Sequence, residues 1–280
     1  MTTNTMHPAL PSEARRAGAT GGDYLRQFAV IVITLVTISV NGLANALPLN
    51  GIETGDISDK YATLFTPAGY VFAIWGVIYL GLLAYMVYQA LPSQRTNARL
   101  RAVGWWYVLG NLANTIWIFA WHWEQFLPSL ALIVVLLVSL IMVYLRLAPA
   151  RQVPGLVSRG EWWTSHLPFS IYLGWVSVAT VANAAVYLTS IGFEGGLLSP
   201  AVWTVLLLLV ATALGLFFLR GWRDVAYVGV LVWAFAGIAV NQSDVMLVSW
   251  TAAGLAGLLA VLAVATLFVG RDANNSMQRR

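Results

Sequence analysis

The chain has 280 residues, of which 59% are hydrophobic and only 9% charged, with a net charge of +4. Soluble globular proteins carry roughly 25% charged residues, so this composition excludes that class and describes an integral membrane protein embedded in a lipid bilayer. The absence of cysteine excludes disulfides, thiolate metal sites and a cysteine nucleophile. The basic excess lies beside apolar stretches, so no nucleic-acid partner is needed to explain it.

Residues 1–25 are polar and rich in Gly, Ala and Thr, and read as a disordered tail. Eight apolar runs follow, near 27–49, 68–91, 103–123, 127–147, 167–190, 200–219, 225–242 and 245–269. A run of about 20 apolar residues crosses the hydrocarbon as a helix. No Asp, Glu, Lys or Arg lies in the interiors of these runs. The predicted fold is therefore all-α, a polytopic membrane helical bundle of about eight transmembrane helices, with residues 271–280 as a second tail. The first run resembles a signal core ending at Ala44-Asn45-Ala46, but it exceeds the roughly 7–15 apolar residues of such a core and follows a long polar leader. It is expected to stay as the first span.

The basic residues agree with that count. Arg15, Arg16 and Arg26 precede the first span; Arg95, Arg99 and Arg101 follow the second; Arg146, Arg151 and Arg159 follow the fourth. Arg220 and Arg223 follow the sixth, and Arg271, Arg279 and Arg280 close the chain. Only Lys60, in the acidic first loop with Glu53, Asp56 and Asp59, falls on the other side. The positive-inside bias then places both termini in the cytoplasm, in what is expected to be a bacterial cytoplasmic membrane.

Thirteen tryptophans divide into two groups. Trp105, Trp106, Trp121, Trp123, Trp162, Trp163, Trp203, Trp222 and Trp250 lie near span ends, as interfacial belts do. Trp75, Trp117, Trp175 and Trp233 lie deep. Trp233 has no polar companions and reads as packing. The other three sit on polar, aromatic helix faces. Phe72, Trp75 and Tyr79 fall at i, i+3 and i+7 in the second span. Asn111, Asn114 and Trp117 share a face of the third, continuing to Trp121. Tyr172, Trp175, Ala179 and Asn183 share one of the fifth, near Ser177 and Thr180. Amides in lipid face other helices, so these faces are expected to converge on an aromatic cavity suited to a flat apolar ligand.

His7, His122 and His166 read as surface or interfacial; the last two lie at opposite membrane faces, roughly 30 Å apart, and cannot form one bis-His haem site. No paired intramembrane carboxylates and no Ser-His-Asp set occur, so no catalytic residue, metal site or required cofactor is expected. Ala211 with Gly215, and Ala253 with Gly257, are small residues four apart, which permit close helix packing within the chain or between copies. There is no convincing internal repeat, which weighs against an inverted-repeat transporter.

Residues 65–86, FTPAGYVFAIWGVIYLGLLAYM, resemble the second-helix signature of the TspO/MBR family, the tryptophan-rich sensory and translocator proteins. Residues 172–183, YLGWVSVATVAN, are similar to its fifth-helix signature, and NLANTIWIFAW, residues 111–121, resembles its third helix. Ala68 departs from the pattern, standing where the family usually has a second proline. The resemblance implies a five-helix core over residues 26–192; the three further membrane helices over 193–270 depart from that core. It also implies a porphyrin or other flat lipophilic ligand held between helices by Trp75, Asn114, Trp117, Trp175 and Ala179, under a lid formed by residues 49–66. Three functions follow as expectations: a ligand-binding sensory or regulatory protein, a transporter of porphyrin-like or lipid ligands, and a porphyrin-modifying enzyme. The appended helices could serve a homo-oligomer or a membrane-complex partner.

Overall fold

The computed structural model of the protein describes residues 18–278, other than 48, 62 and 194. His7 and most of the first predicted tail lie outside the described residues, as do Arg279 and Arg280. The elements, in chain order, are α1 (Gly21–Ala46), α2 (Thr54–Lys60), α3 (Ile74–Ala90), α4 (Ala98–His122), α5 (Phe126–Arg151), a single turn α6 (Arg159–Glu161), α7 (Leu167–Ser190), α8 (Pro200–Trp222), α9 (Val225–Asn241) and α10 (Met246–Gln278). A 3-10 segment, Gly69–Ala73, leads into α3, and a π turn, Trp162–His166, leads into α7. The protein is an all-α membrane bundle.

Eight long helices coincide with the eight predicted spans. Six, counting α3 with its 3-10 segment and α7 with its leading turns, are long and apolar enough to cross a membrane. Of the other two, α4 opens with Arg99 and Arg101, and α9 has only 17 residues. Two tail expectations change. The first helix begins at Gly21, inside the predicted disordered segment, because Asp23 accepts from the backbone N–H and hydroxyl of Thr20 and fixes the first turn. At the other end the backbone of α10 stays helical through Gln278, past the predicted start of the second tail.

Helices α1, α3, α4, α5 and α7 form one bundle, and α8, α9 and α10 form a second unit joined to it through α9. Within the bundle, α1 is held to α4 by hydroxyl pairs buried in the lipid-spanning region. Thr34 Oγ1 lies 2.6 Å from Tyr107 Oη and Thr37 Oγ1 2.9 Å from Thr115 Oγ1. Each pair satisfies two polar groups that hydrocarbon would leave unpaired.

The arginines flanking the spans are more than orientation signals. Arg101 grips Asp23 with two bonds, at 2.7 and 2.6 Å, and Arg99 grips Glu161 in the same forked way. Arg26 is buried and donates to the carbonyls of Leu100 and Arg95, lying across Gly104, where a Cβ would meet its side chain at 2.6 Å. The most connected is Arg151 at the end of α5. It donates to Asp224 Oδ2 (2.7 Å), His166 Nδ1 (2.9 Å), the His166 carbonyl (2.9 Å) and Ser170 Oγ (2.8 Å). Asp224 Oδ2 also accepts from Tyr144 and Ser170, while Oδ1 caps the backbone N–H of Tyr227 at the start of α9. One carboxylate thus ties α5, α7 and α9 together.

That geometry corrects the reading of two histidines. His166 is fully buried in this network rather than on the surface, and His122 is fully buried as well. Both occupy span ends as expected, but each is enclosed by polar partners that a single-span view cannot supply.

Candidate ligand-binding site

The first loop folds over one end of the bundle as a built lid. Its helix α2 is fastened to the end of α4. His122 Nδ1 donates to the Leu49 carbonyl (2.9 Å) and, in the neutral ring, Nε2 accepts from the Thr54 hydroxyl (3.0 Å). Trp121 Nε1 donates to the Thr54 carbonyl and Asn50 Nδ2 to that of His122, each at 3.0 Å. Farther out, Lys60 and Tyr61 both donate to Glu124, which sits at positive φ (54°) in the tight α4–α5 turn. These two bonds, Lys60 first, hold the Glu124 carboxyl below its usual range; the Tyr61 phenol is raised to about 12 by the same carboxylate. Asp59, on the same helix, is pushed up by burial and by its neighbour Asp56.

Beneath the lid lies a cavity of about 30 Å³ between α2, α3, α4 and α7. Six of the sequence-predicted residues line it: Phe72, Trp75, Trp117, Trp175, Ala179 and Asn183. Trp75 is the centre of an aromatic cluster, with ring centroids 6.3 Å from Trp117, 6.2 Å from Trp175 and 6.1 Å from Tyr172. Tyr79 stacks on the far side of Trp75 at 5.7 Å, and Phe72 meets Trp175 edge-on at 5.8 Å. Asn114 and Tyr172 stand behind this wall, hydrogen-bonded to each other.

Asn111 is placed elsewhere. It is buried, but its amide donates back to the Tyr107 carbonyl, and its own carbonyl accepts from Thr37 on α1. The spacing from Asn111 to Asn114 predicts one face, but the Asn111 amide bonds back within α4 while only its backbone carbonyl meets α1, and the Asn114 amide reaches Tyr172 on α7.

Sequence reasoning missed Thr54, Ser58 and Pro67, which form the roof from the lid side, and Val178 and Ala182 on α7. Ala182 lies seven residues after Trp175, so helical periodicity could have found it; the roof residues depend on loop closure. Trp121 is corrected. It is buried rather than interfacial, stacks on Trp117 at 5.8 Å and lines the cavity.

The polar atoms around this cavity are unusual. Trp117 Nε1, Trp175 Nε1, Asn114 Oδ1 and Asn183 Oδ1 are all buried, and none has a hydrogen-bond partner among the described residues. The Asn183 amide nitrogen is engaged, donating to Ser129 Oγ at 2.7 Å, which leaves its oxygen free. Unpaired buried groups cost free energy, about 1–3 kcal/mol each, and are uncommon in a packed interior. Next to the cavity, a vestibule of about 280 Å³ opens between the lid and the start of α3. It shares Thr54, Phe72 and Trp75 with the cavity and is walled by Glu53, Asp56 and Asp59.

The TSPO-like protein family matches residues 27–265. The chain belongs to this family. The match does not stop at the five-helix core; it continues through α8 and α9 and most of α10, so the appended unit falls within the matched region. No curated protein and no solved structure matches the chain.

In this TSPO-like protein the appended unit reaches the site. Trp233, read as simple packing, is half-exposed, and its Nε1 donates to the Val71 carbonyl at 3.1 Å. Asn241 and Gln242 both donate to the Thr66 carbonyl, and the Ala68 N–H donates to the Gly237 carbonyl. Helix α9 therefore grips residues 66–71, directly before Phe72 and Trp75. The approach requires Gly237, where a Cβ would sit 2.1 Å from Val71 Cγ2. Ala68 matters here for another reason: unlike the proline usual in the family, it has an N–H to give.

Proposed function

We propose that this TSPO-like protein is a membrane sensor or regulator that binds a flat, mostly apolar ligand of the tetrapyrrole class between α3, α4 and α7, beneath the α2 lid. The observation that carries this reading is the set of unpaired polar atoms in an otherwise aromatic box. Two indole donors, Trp117 and Trp175, and one amide acceptor, Asn183, belong to cavity-lining residues and are buried without partners among the described residues, with the Asn114 oxygen, likewise unpartnered, behind the wall. A planar ligand bearing donors and acceptors would satisfy them while its faces stack on Trp75 and its neighbours.

Binding needs motion. Ligand pockets of roughly 300–1,000 Å³ accommodate molecules of this size, and the cavity has about 30 Å³. Displacing α2 would merge it with the vestibule, since the two share Thr54, Phe72 and Trp75. The lid is tied by individual hydrogen bonds as well as by the buried Ile57 and Phe65, so opening it means lifting a short helix with a small apolar seam. Both ring nitrogens of His122 are committed to that closure, so a porphyrin would be held by stacking and shape rather than by axial ligation.

The arginine-rich end of the bundle would face the cytoplasm, with both chain termini, and the lid would face outward. Titration of purified protein with protoporphyrin, followed by tryptophan quenching, tests the assignment. Trp75→Ala and Trp175→Ala should each weaken binding at least tenfold; wild-type affinity in both would refute the site.

A further inference from the structure

A second, separate cleft runs along the seam between the core and the appended helices. Its deep part is an apolar groove of about 450 Å³ bounded by α3, α7 and α9, with Ile74, Val77, Ile171, Gly229 and Trp233 on its walls. It is open to the lipid side: Val77 is 53% exposed and Trp233 41%. Its other end runs into a cavity of about 420 Å³ at the arginine-rich end of the bundle, walled by Arg151, Trp162, Trp222 and Arg223. The two adjoin at Leu167 and Ala226, which line both, so an apolar groove at membrane depth meets a cationic pocket at its end.

The charges at the mouth are unequal in availability. Asp224 is the carboxylate there, and both its oxygens are consumed by Arg151, Tyr144, Ser170 and the Tyr227 N–H. Arg151 is mostly covered, and His166 has its Nδ1 occupied by it. Arg223 is exposed, held in the left-handed conformation (φ 54°) that turns it out between α8 and α9. One of its terminal nitrogens donates to the Thr266 carbonyl, and no carboxylate pairs with it among those of residues 18–268 whose side chains the structure describes. A guanidinium beside two indoles at a membrane interface, above an apolar slot, is complementary to a phosphate group carrying an acyl chain.

We propose that this cleft is a binding site for one anionic phospholipid, its phosphate at Arg223 and an acyl chain lying along α9 past Gly229 toward Trp233. Seven residues separate Ala226 from Trp233, about 10 Å of helix, which is the depth over which the chain is in contact. The lipid would brace α9 against α3 and α7, the same helix that grips residues 66–71.

The test uses the full chain in nanodiscs of phosphatidylcholine containing a minor fraction of phosphatidylglycerol, with the lipid retained after detergent extraction counted by native mass spectrometry. Wild type should retain about one phosphatidylglycerol in preference to phosphatidylcholine. Arg223→Gln removes the charge at the mouth. Gly229→Leu projects a side chain into the slot from a position where a Cβ meets nothing within 4 Å, and its unfolding temperature, compared with wild type, checks that the helices are undisturbed. Each variant should lower retention at least fivefold while leaving protoporphyrin quenching unchanged. Retention without headgroup preference, or loss in Arg223→Gln but full retention in Gly229→Leu, would overturn the proposal, the latter by showing mere surface attraction. A dimer that Gly229→Leu abolishes, with no lipid retained, would overturn it too, by assigning the groove to a second copy of the chain.

Discussion

The five-helix core and the appended α8–α10 unit are built from the same apolar residues, yet they differ in how they treat polar groups. In the appended unit most buried side chains are aliphatic or small, with Tyr227, Phe235 and the junction carboxylate Asp224 as exceptions, and its buried Thr204 and Thr212 hydroxyls bond to their own helices at Pro200 and Leu208. Gly215 lets α8 press on Leu231 and Leu259, whereas Gly257 faces open space. In the core, amides, phenols and indoles are buried between helices, and every buried polar atom left without a partner among the described residues belongs to it. The core leaves hydrogen-bonding capacity unused at several places, and Trp117, Trp175 and Asn183 bring part of it to the cavity wall. The contrast supports the proposal that the core binds the ligand and the extension braces it.

The largest expected effect breaks the junction between the two regions. Asp224→Ala would leave Arg151 buried without its carboxylate and cost about 3–5 kcal/mol of stability, read as a drop in thermal unfolding temperature in detergent. Gly237→Ala drives a methyl into Val71 and should cost about 1–3 kcal/mol, and it should alter ligand affinity too, because residues 66–71 lead into the cavity wall. An equal loss of stability with no change in affinity would show that the two regions are energetically separate.

The lid latch gives a pH dependence. Glu124 has a folded-state pKa below its unfolded value, so the latch contributes fully above the ordinary glutamate range of about 4.3 and is lost as pH falls through the lowered value. Ligand association should therefore quicken in acid below that range and stay flat from neutral pH upward. Stopped-flow quenching in Glu124→Gln at neutral pH should reproduce the faster rate; a rate identical to wild type would remove the latch from the mechanism.

The fold was legible because its signals are local. Runs such as residues 127–147 need no tertiary information to be read as spans, and the alternation of arginines fixed their number. The aromatic faces on α3, α4 and α7 were legible for the same reason, through helical periodicity. Trp121 and Trp233 were misassigned because depth along a span does not specify azimuth: one turns inward under the lid, and the other reaches across to another helix. His122, His166 and Asp224 stand at span ends, where sequence position suggests water. Only the packing of α2 on α4, and of α9 on α5 and α7, encloses them.

The most direct test of the contrast between regions compares Trp175→Phe with Trp233→Phe, measuring protoporphyrin affinity and thermal stability for both. Trp175→Phe removes an indole N–H that has no protein partner, so it should weaken affinity about tenfold, near 1.4 kcal/mol, without forfeiting a protein hydrogen bond. Trp233→Phe removes the bond to the Val71 carbonyl without pushing residues 66–71 aside, since Asn241, Gln242 and the Ala68 N–H still hold them, so it should lower stability by about 1 kcal/mol and leave affinity within twofold of wild type. Wild-type affinity in Trp175→Phe, with the loss appearing in Trp233→Phe instead, would contradict the account.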